Sequence, residues 1–96
     1  MGKAPKPRAR FLLGQLVATP GAVDTMNEHG INPLALLERH LTGDWGDLKA
    51  DDKKENEFAV TRRLRILSAY GQGEARLWVI TEADRSSTCI LRPDEY

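Results

Sequence analysis

Leu64-Arg65-Ile66-Leu67-Ser68-Ala69-Tyr70, followed by Gly71-Gln72-Gly73 and then by Glu74-Ala75-Arg76-Leu77-Trp78-Val79-Ile80-Thr81-Glu82, is the stretch that decides the fold. Its period is two. Leu64, Ile66, Ser68 and Tyr70 fall on one face and Leu67 and Ala69 on the other, which is the alternation of a strand. The glycine-containing loop suits a β-hairpin, and residues 75–82 are aromatic and β-branched enough to form its second strand. Residues 83–86 turn the chain again, residues 88–92 form a last strand, and Pro93 stops it. The C-terminal third therefore reads as a three-stranded antiparallel meander.

Upstream, the punctuation is helical. Thr19-Pro20 and Asn32-Pro33 each place a capping side chain before a proline at the first helical position, where its missing N–H costs nothing. The first helix runs to His29 and stops at Gly30. The second carries Leu34, Leu37 and Leu41 on one face, broadened by Leu36, and ends at Gly43. A turn pinned by Trp45 leads to a third helix capped by Asp51 or Asp52. Asp52 and Glu55 have capping-box spacing there, and Asp51 with Lys54 and Lys53 with Glu57 can pair along the exposed side. Its apolar residues come late, at Phe58, Ala59 and Val60. Residues 11–18 suit a buried strand in which Gly14 marks a bulge or a close backbone approach.

The order is thus β-α-α-α-β-β-β. This predicts an α+β fold with the helices on one face of a small antiparallel sheet and the first strand added to an edge of the meander. Residues 1–10 hold Pro5, Pro7 and four basic side chains with no apolar period. They read as a flexible basic arm ahead of a single domain at 11–96.

Composition narrows the function classes. The chain has 96 residues, 41% hydrophobic and 29% charged, as in ordinary globular domains. Lys plus Arg and Asp plus Glu both number 14, so nothing global draws the chain to nucleic acid or acidic membrane. Any such contact needs a local patch, and nucleic acid is therefore not favoured. The lone Cys89 can close no intramolecular disulfide and fits a reducing compartment, which makes the cytoplasm the expected location. The apolar run near residues 11–18 is too short to span a bilayer, and Pro5 and Pro7 break a signal-peptide reading. No cofactor is expected.

The candidate functional cluster is His40, Asp44, Trp45 and Asp47 around the tryptophan turn, together with Glu82, Asp84 and Arg85 after the hairpin. Convergence of these carboxylates, with Asn56 and Glu57 of the third helix nearby, would suit a divalent ion and phosphodiester hydrolysis. The plainer reading takes them singly: Asp44 and Asp47 as turn and cap residues, Glu57 as a surface pair, Asp84 as an Asx-turn, His29 and His40 as helix-end residues complementing the dipole. No zinc motif, P-loop, dinucleotide fingerprint or nucleophile elbow is present. Cys89 reads as a small strand side chain rather than a nucleophile. Trp78 and Tyr70, with Arg62, Arg63, Arg65 and Arg76 around them, would make an aromatic platform for bases if they shared a face.

The segments GQLVATPGA (14–22), HLTGDWGDL (40–48), LRILSAY (64–70), WVITEADRSST (78–88) and LRPDEY (91–96) resemble a family of small uncharacterised bacterial proteins labelled plasmid-related. The resemblance implies a bacterial accessory gene near plasmids or integrating elements, and it carries no site residues. Two expectations follow. The first is a regulatory domain that acts by binding a protein partner, with an exposed patch and no deep pocket; a homodimer through an edge strand belongs to the same class. The alternative is a small metal-dependent nuclease or nucleic-acid-binding domain using the acidic cluster.

Overall fold

A computed structural model describes residues 8–96. Its elements are β1 (Gln15–Ala18), α1 (Pro20–His29), α2 (Pro33–Leu41), α3 (Ala50–Arg62), β2 (Ile66–Tyr70), β3 (Leu77–Thr81) and β4 (Ser87–Leu91), with 3-10 turns at Gly73–Ala75 and Pro93–Glu95. The fold is α+β in the expected order. Both proline-started helices form as read. Thr19 Oγ1 accepts from Ala22 N and Asn32 Oδ1 from Leu34 N, and Gly30 ends α1.

The sheet order is β1-β4-β3-β2. β2, β3 and β4 form the antiparallel meander, but β1 joins β4 in parallel, so the sheet is mixed rather than antiparallel throughout. The cause lies where the two strands begin. Gln15 N donates to Ser86 O at 3.0 Å, and Gly14, at φ +66°, lies so close that a Cβ there would be 2.4 Å from Arg85 O. Of the two roles open to Gly14, the structure selects the close approach. The strand also starts at Gln15, not at Phe11.

α1 and α2 cover one face, where Ala22, Met26, Leu36 and Leu37 pack with Tyr70, Leu77, Val79 and Ile90. The buried stripe of α2 is Leu36, Leu37 and His40, whereas Leu34 is 67% exposed. The expected Leu34–Leu37–Leu41 face is thus rotated, because the sheet offers His40 hydroxyl partners. α3 lies along the outer edge of β2. It is preceded by Lys49 without a side-chain cap, and Asp51 and Asp52 sit in its first turn, where acidic groups favour the helix dipole. Glu57 pairs with Arg10 rather than Lys53.

That last contact moves the domain boundary. Arg10 N donates to Leu41 O at 2.9 Å, and its guanidinium holds Glu57 with two bonds of 2.8 and 2.7 Å. Arg10 is therefore part of the fold, and the rest of the basic-arm reading falls mostly outside the described residues. No helix among the described residues is long and apolar enough to cross a membrane.

Candidate functional site

His40 lies at the centre of a polar seam that crosses the sheet. Ser68 on β2, Thr81 on β3 and Thr88 on β4 all point to the helix-covered face, and all are fully buried. His40 Nδ1 is 2.6 Å from Ser68 Oγ and Nε2 is 2.9 Å from Thr81 Oγ1. Thr81 Oγ1 is 2.7 Å from Thr88 Oγ1, and Thr88 donates to Leu13 O at 2.7 Å.

The terminal carbonyl fixes the direction of the bonds from Thr88 back to His40 Nε2. Leu13 O can only accept, so Thr88 must accept from Thr81 and Thr81 from His40 Nε2–H, and in the neutral ring that burial favours Nδ1 accepts from Ser68. The imidazole is neutral, with its proton on Nε2. Protonating Nδ1 would require the Ser68 hydroxyl to turn and accept instead of donate, and burial, aided by the Arg85 charge, lowers the His40 pKa from 6.5 to about 3. The helix-dipole reading of His40 is thereby corrected, since a dipole complement has to be charged. The seam is a structural tie without a vacant atom for a substrate.

Trp45 is buried against this seam, stacked on Phe11 with centroids 6.3 Å apart and edge-on to His40 at 6.1 Å. Its Nε1–H donates to Glu57 Oε2 at 2.8 Å. Arg10, and then Trp45, hold the Glu57 pKa down at about 2. Gly46 then crosses β2 so closely that a Cβ would be 2.0 Å from Ala69 O.

The carboxylates of the cluster do not converge. Asp44 binds Arg39 at 2.6 Å and accepts from Gly46 N, and Asp47 accepts from Gly71 N at 2.8 Å. Both lie near the Tyr70 end of β2. Glu82, 3.4 Å from Arg65, and Asp84, which accepts from Ser86 N at 3.0 Å, follow Thr81 at the Ile66 end. A five-residue strand separates the groups by roughly 13 Å. Among the described residues no three His, Cys, Asp or Glu side chains are grouped to hold a metal ion. Arg85 is buried in carbonyls: it donates to Ala59 O, Leu64 O, Glu82 O and Ala83 O, closing the C-terminal end of α3.

The opposite face of the sheet is different. Val17, Cys89, Ile80 and Leu67 form one apolar row across all the strands, and Leu91, Trp78 and Ala69 form the next. None of these residues belongs to the helix-packed core clusters; Ala69, Ile80 and Leu91 are nevertheless buried, Leu67, Trp78 and Cys89 half-buried, and Val17 exposed. Tyr70 points the other way and is buried, with burial raising its pKa to about 12, so it cannot share an aromatic platform with Trp78. Trp78 is paired instead with Tyr96, edge-on at 5.6 Å, and the Arg65 guanidinium lies 5.6 Å over the Tyr96 ring. Cys89 is half-buried in its row, and burial pushes its thiol pKa up.

Where α3 meets this face there is a groove of about 370 Å³. Leu48, Leu67 and Trp78 line it, with Asp52, Glu55 and Asn56 of α3 and with Arg65 and Arg76, which precede β2 and β3 and so stand at opposite ends of that strand pair. Trp78, Arg65 and Arg76 are three of the residues of the expected aromatic platform, whereas in sequence Asp52 and Glu55 have capping-box spacing, Leu67 is a strand residue and Leu48 belongs to the tryptophan turn. The signal for them is that Leu67 and Trp78 fall on the strand face opposite Ile66 and Leu77. No family model, curated protein or solved structure matches the chain.

Proposed function

We propose that the chain is a protein-interaction domain that docks a segment of a partner protein in the groove between α3 and the open face of the sheet. The observation that carries this reading is the groove's composition: Leu48, Leu67 and Trp78 give it an apolar centre, Asp52 and Glu55 of α3 give it acidic groups, and Arg65 and Arg76 give it a basic group towards each end of the β2–β3 pair. An apolar centre with a mixed-charge rim is the usual anatomy of a protein–protein contact. Phosphate backbones would meet the carboxylates of Asp52 and Glu55, so the same groove disfavours nucleic acid. In the setting of a bacterial mobile element, this is a small accessory or regulatory factor that acts by covering another protein in the cytoplasm.

The aromatic pair Trp78–Tyr96 with Arg65 favours a second reading, contact with single-stranded nucleic acid without a metal. One experiment separates the two. The tagged chain is used to capture partners from host lysate with and without nuclease, alongside Leu67→Glu in the groove and Leu34→Glu on the exposed side of α2. The interaction reading expects a stoichiometric protein that survives nuclease, is lost with Leu67→Glu and is retained with Leu34→Glu. Retention of nucleic acid alone, or a protein indifferent to Leu67→Glu, overturns it.

A further inference from the structure

The sheet has one edge that nothing among the described residues covers. In β1, Gln15 N and Thr19 N donate to Ser86 O and Ile90 O of the β4 segment, so the peptide groups between them alternate outward at Leu16 and Ala18. The described hydrogen bonds include none to these outward groups. The surroundings are apolar: Leu12 is 73% exposed, Leu16 49% and Val17 43%. A depression of about 510 Å³ beside the strand is lined by Phe11, Leu12, Leu13, Leu16 and Leu41.

We infer that β1 pairs antiparallel with β1 of a second copy of this chain, about a twofold axis at Val17, joining two sheets into one. The register follows from the ends of the strand. Centring the axis on Ala18 would place Leu16 opposite Pro20, which has no N–H to give. Centring it on Leu16 would place Ala18 opposite Gly14, whose φ of +66° takes it out of the strand. Centring it on Val17 sets Leu16 of each copy opposite Ala18 of the other and engages every outward N–H and C=O of the strand. A second copy is the occupant because a twofold sets each residue against its own kind or a near neighbour, which like charges oppose, and Gln15–Ala18 carries no charge. Of the natural protections of an edge, lysine, proline and a bulge are missing within the strand, and only its shortness remains. So short a strand makes a small interface, and the dimer it forms follows concentration. This pairing is independent of the groove reading, because Leu67 lies at the far edge of the sheet.

The test uses the purified chain alone. Sedimentation velocity from about 10 µM to about 1 mM is expected to show conversion to dimer, and Leu16→Lys, at a half-exposed site, to remain monomeric while keeping its circular dichroism spectrum. Register is read by cross-linking. Val17 is the non-hydrogen-bonded pair, with Cα atoms about 4.5 Å apart across the axis, within disulfide reach. Cys89 neighbours Val17 across β4 and is replaced by Ser to prevent an intrachain bond. Val17→Cys/Cys89→Ser is expected to form a disulfide dimer roughly tenfold faster than Leu16→Cys/Cys89→Ser. A wild-type chain that stays monomeric throughout, a Leu16→Lys dimer as tight as wild type, or equal cross-linking at the two positions overturns the inference. Leu67→Glu should leave the dimer intact, so failure of the groove reading and failure of this one are separately visible.

Discussion

Along β2, the outward peptide groups at Leu67, Ala69 and Gly71 each have a partner supplied from outside the sheet. The Asn56 amide donates to Leu67 O at 2.7 Å and accepts from Leu67 N at 3.2 Å, imitating a neighbouring strand. Ala69 N donates to Trp45 O, Asp47 N donates to Ala69 O, and the Asp47 carboxylate takes Gly71 N. Along β1, at the other edge, Leu16 and Ala18 have no such cover among the described residues. The same sheet thus ends in a sealed edge, built from a turn and one helix face, and an open, uncharged one. Residues that look catalytic in sequence, Trp45 and Asp47 among them, are spent on the seal. The proposed contacts with other molecules fall elsewhere, at the open edge and in the groove beside α3.

The comparison breaks most severely if the seam joining the edges is cut at its centre. His40→Ala takes the ring partner from Ser68, leaves Thr81 with Thr88 alone and opens a cavity, and urea unfolding should register a loss of about 3–5 kcal/mol. The same residue gives a pH signature. Below its ordinary pKa of 6.5 the unfolded chain binds a proton at His40, and the folded chain does not until about 3. Stability should therefore fall as pH drops from 6.5, with a slope of up to about 1.4 kcal/mol per unit from this group. His40→Gln should lose that slope between about pH 6.5 and 5, above the range in which the depressed carboxylates Asp44, Glu57, Asp84 and Glu95 add a slope of the same sign. An unchanged slope would mean that His40 is not buried neutral.

Unsealing β2 comes next. Asn56→Ala removes both bonds to Leu67, and a loss of about 2–3 kcal/mol is expected, with a rise in aggregation because both edges are then open. Leu16→Lys, by contrast, changes only the open edge and should shift monomer stability by less than about 0.5 kcal/mol. If Asn56→Ala were as mild as Leu16→Lys, the two edges would not differ as described.

Much of the architecture was legible because it is local. Thr19-Pro20, Asn32-Pro33 and the alternation at 64–70 each specify their element within a few residues. What escaped depends on contacts distant in sequence. Arg10 and Glu57 meet across α2 and the tryptophan turn, and nothing in either segment announces the pair. The parallel entry of β1 rests on the close approach of Gly14 to Arg85, which a β-rich stretch cannot reveal. His40 had a readable signal: Ser68, Thr81 and Thr88 place hydroxyls in the core-facing positions of three strands, and buried hydroxyls require a polar partner. The acidic cluster misled because turn chemistry and metal ligation draw on the same residues. Only the β2–β3 register, with Tyr70 opposite Leu77 and Ile66 opposite Thr81, separates Asp47 from Glu82.

The asymmetry of the edges is tested most directly by amide hydrogen exchange, residue by residue, by NMR. In dilute solution Leu67 and Ala69 N–H should be strongly protected and Leu16 and Ala18 N–H should exchange freely, the latter pair gaining protection as concentration rises. Fast exchange at Leu67 and Ala69, or protection at Leu16 and Ala18 that is already complete in a dilute monomer, would contradict the account.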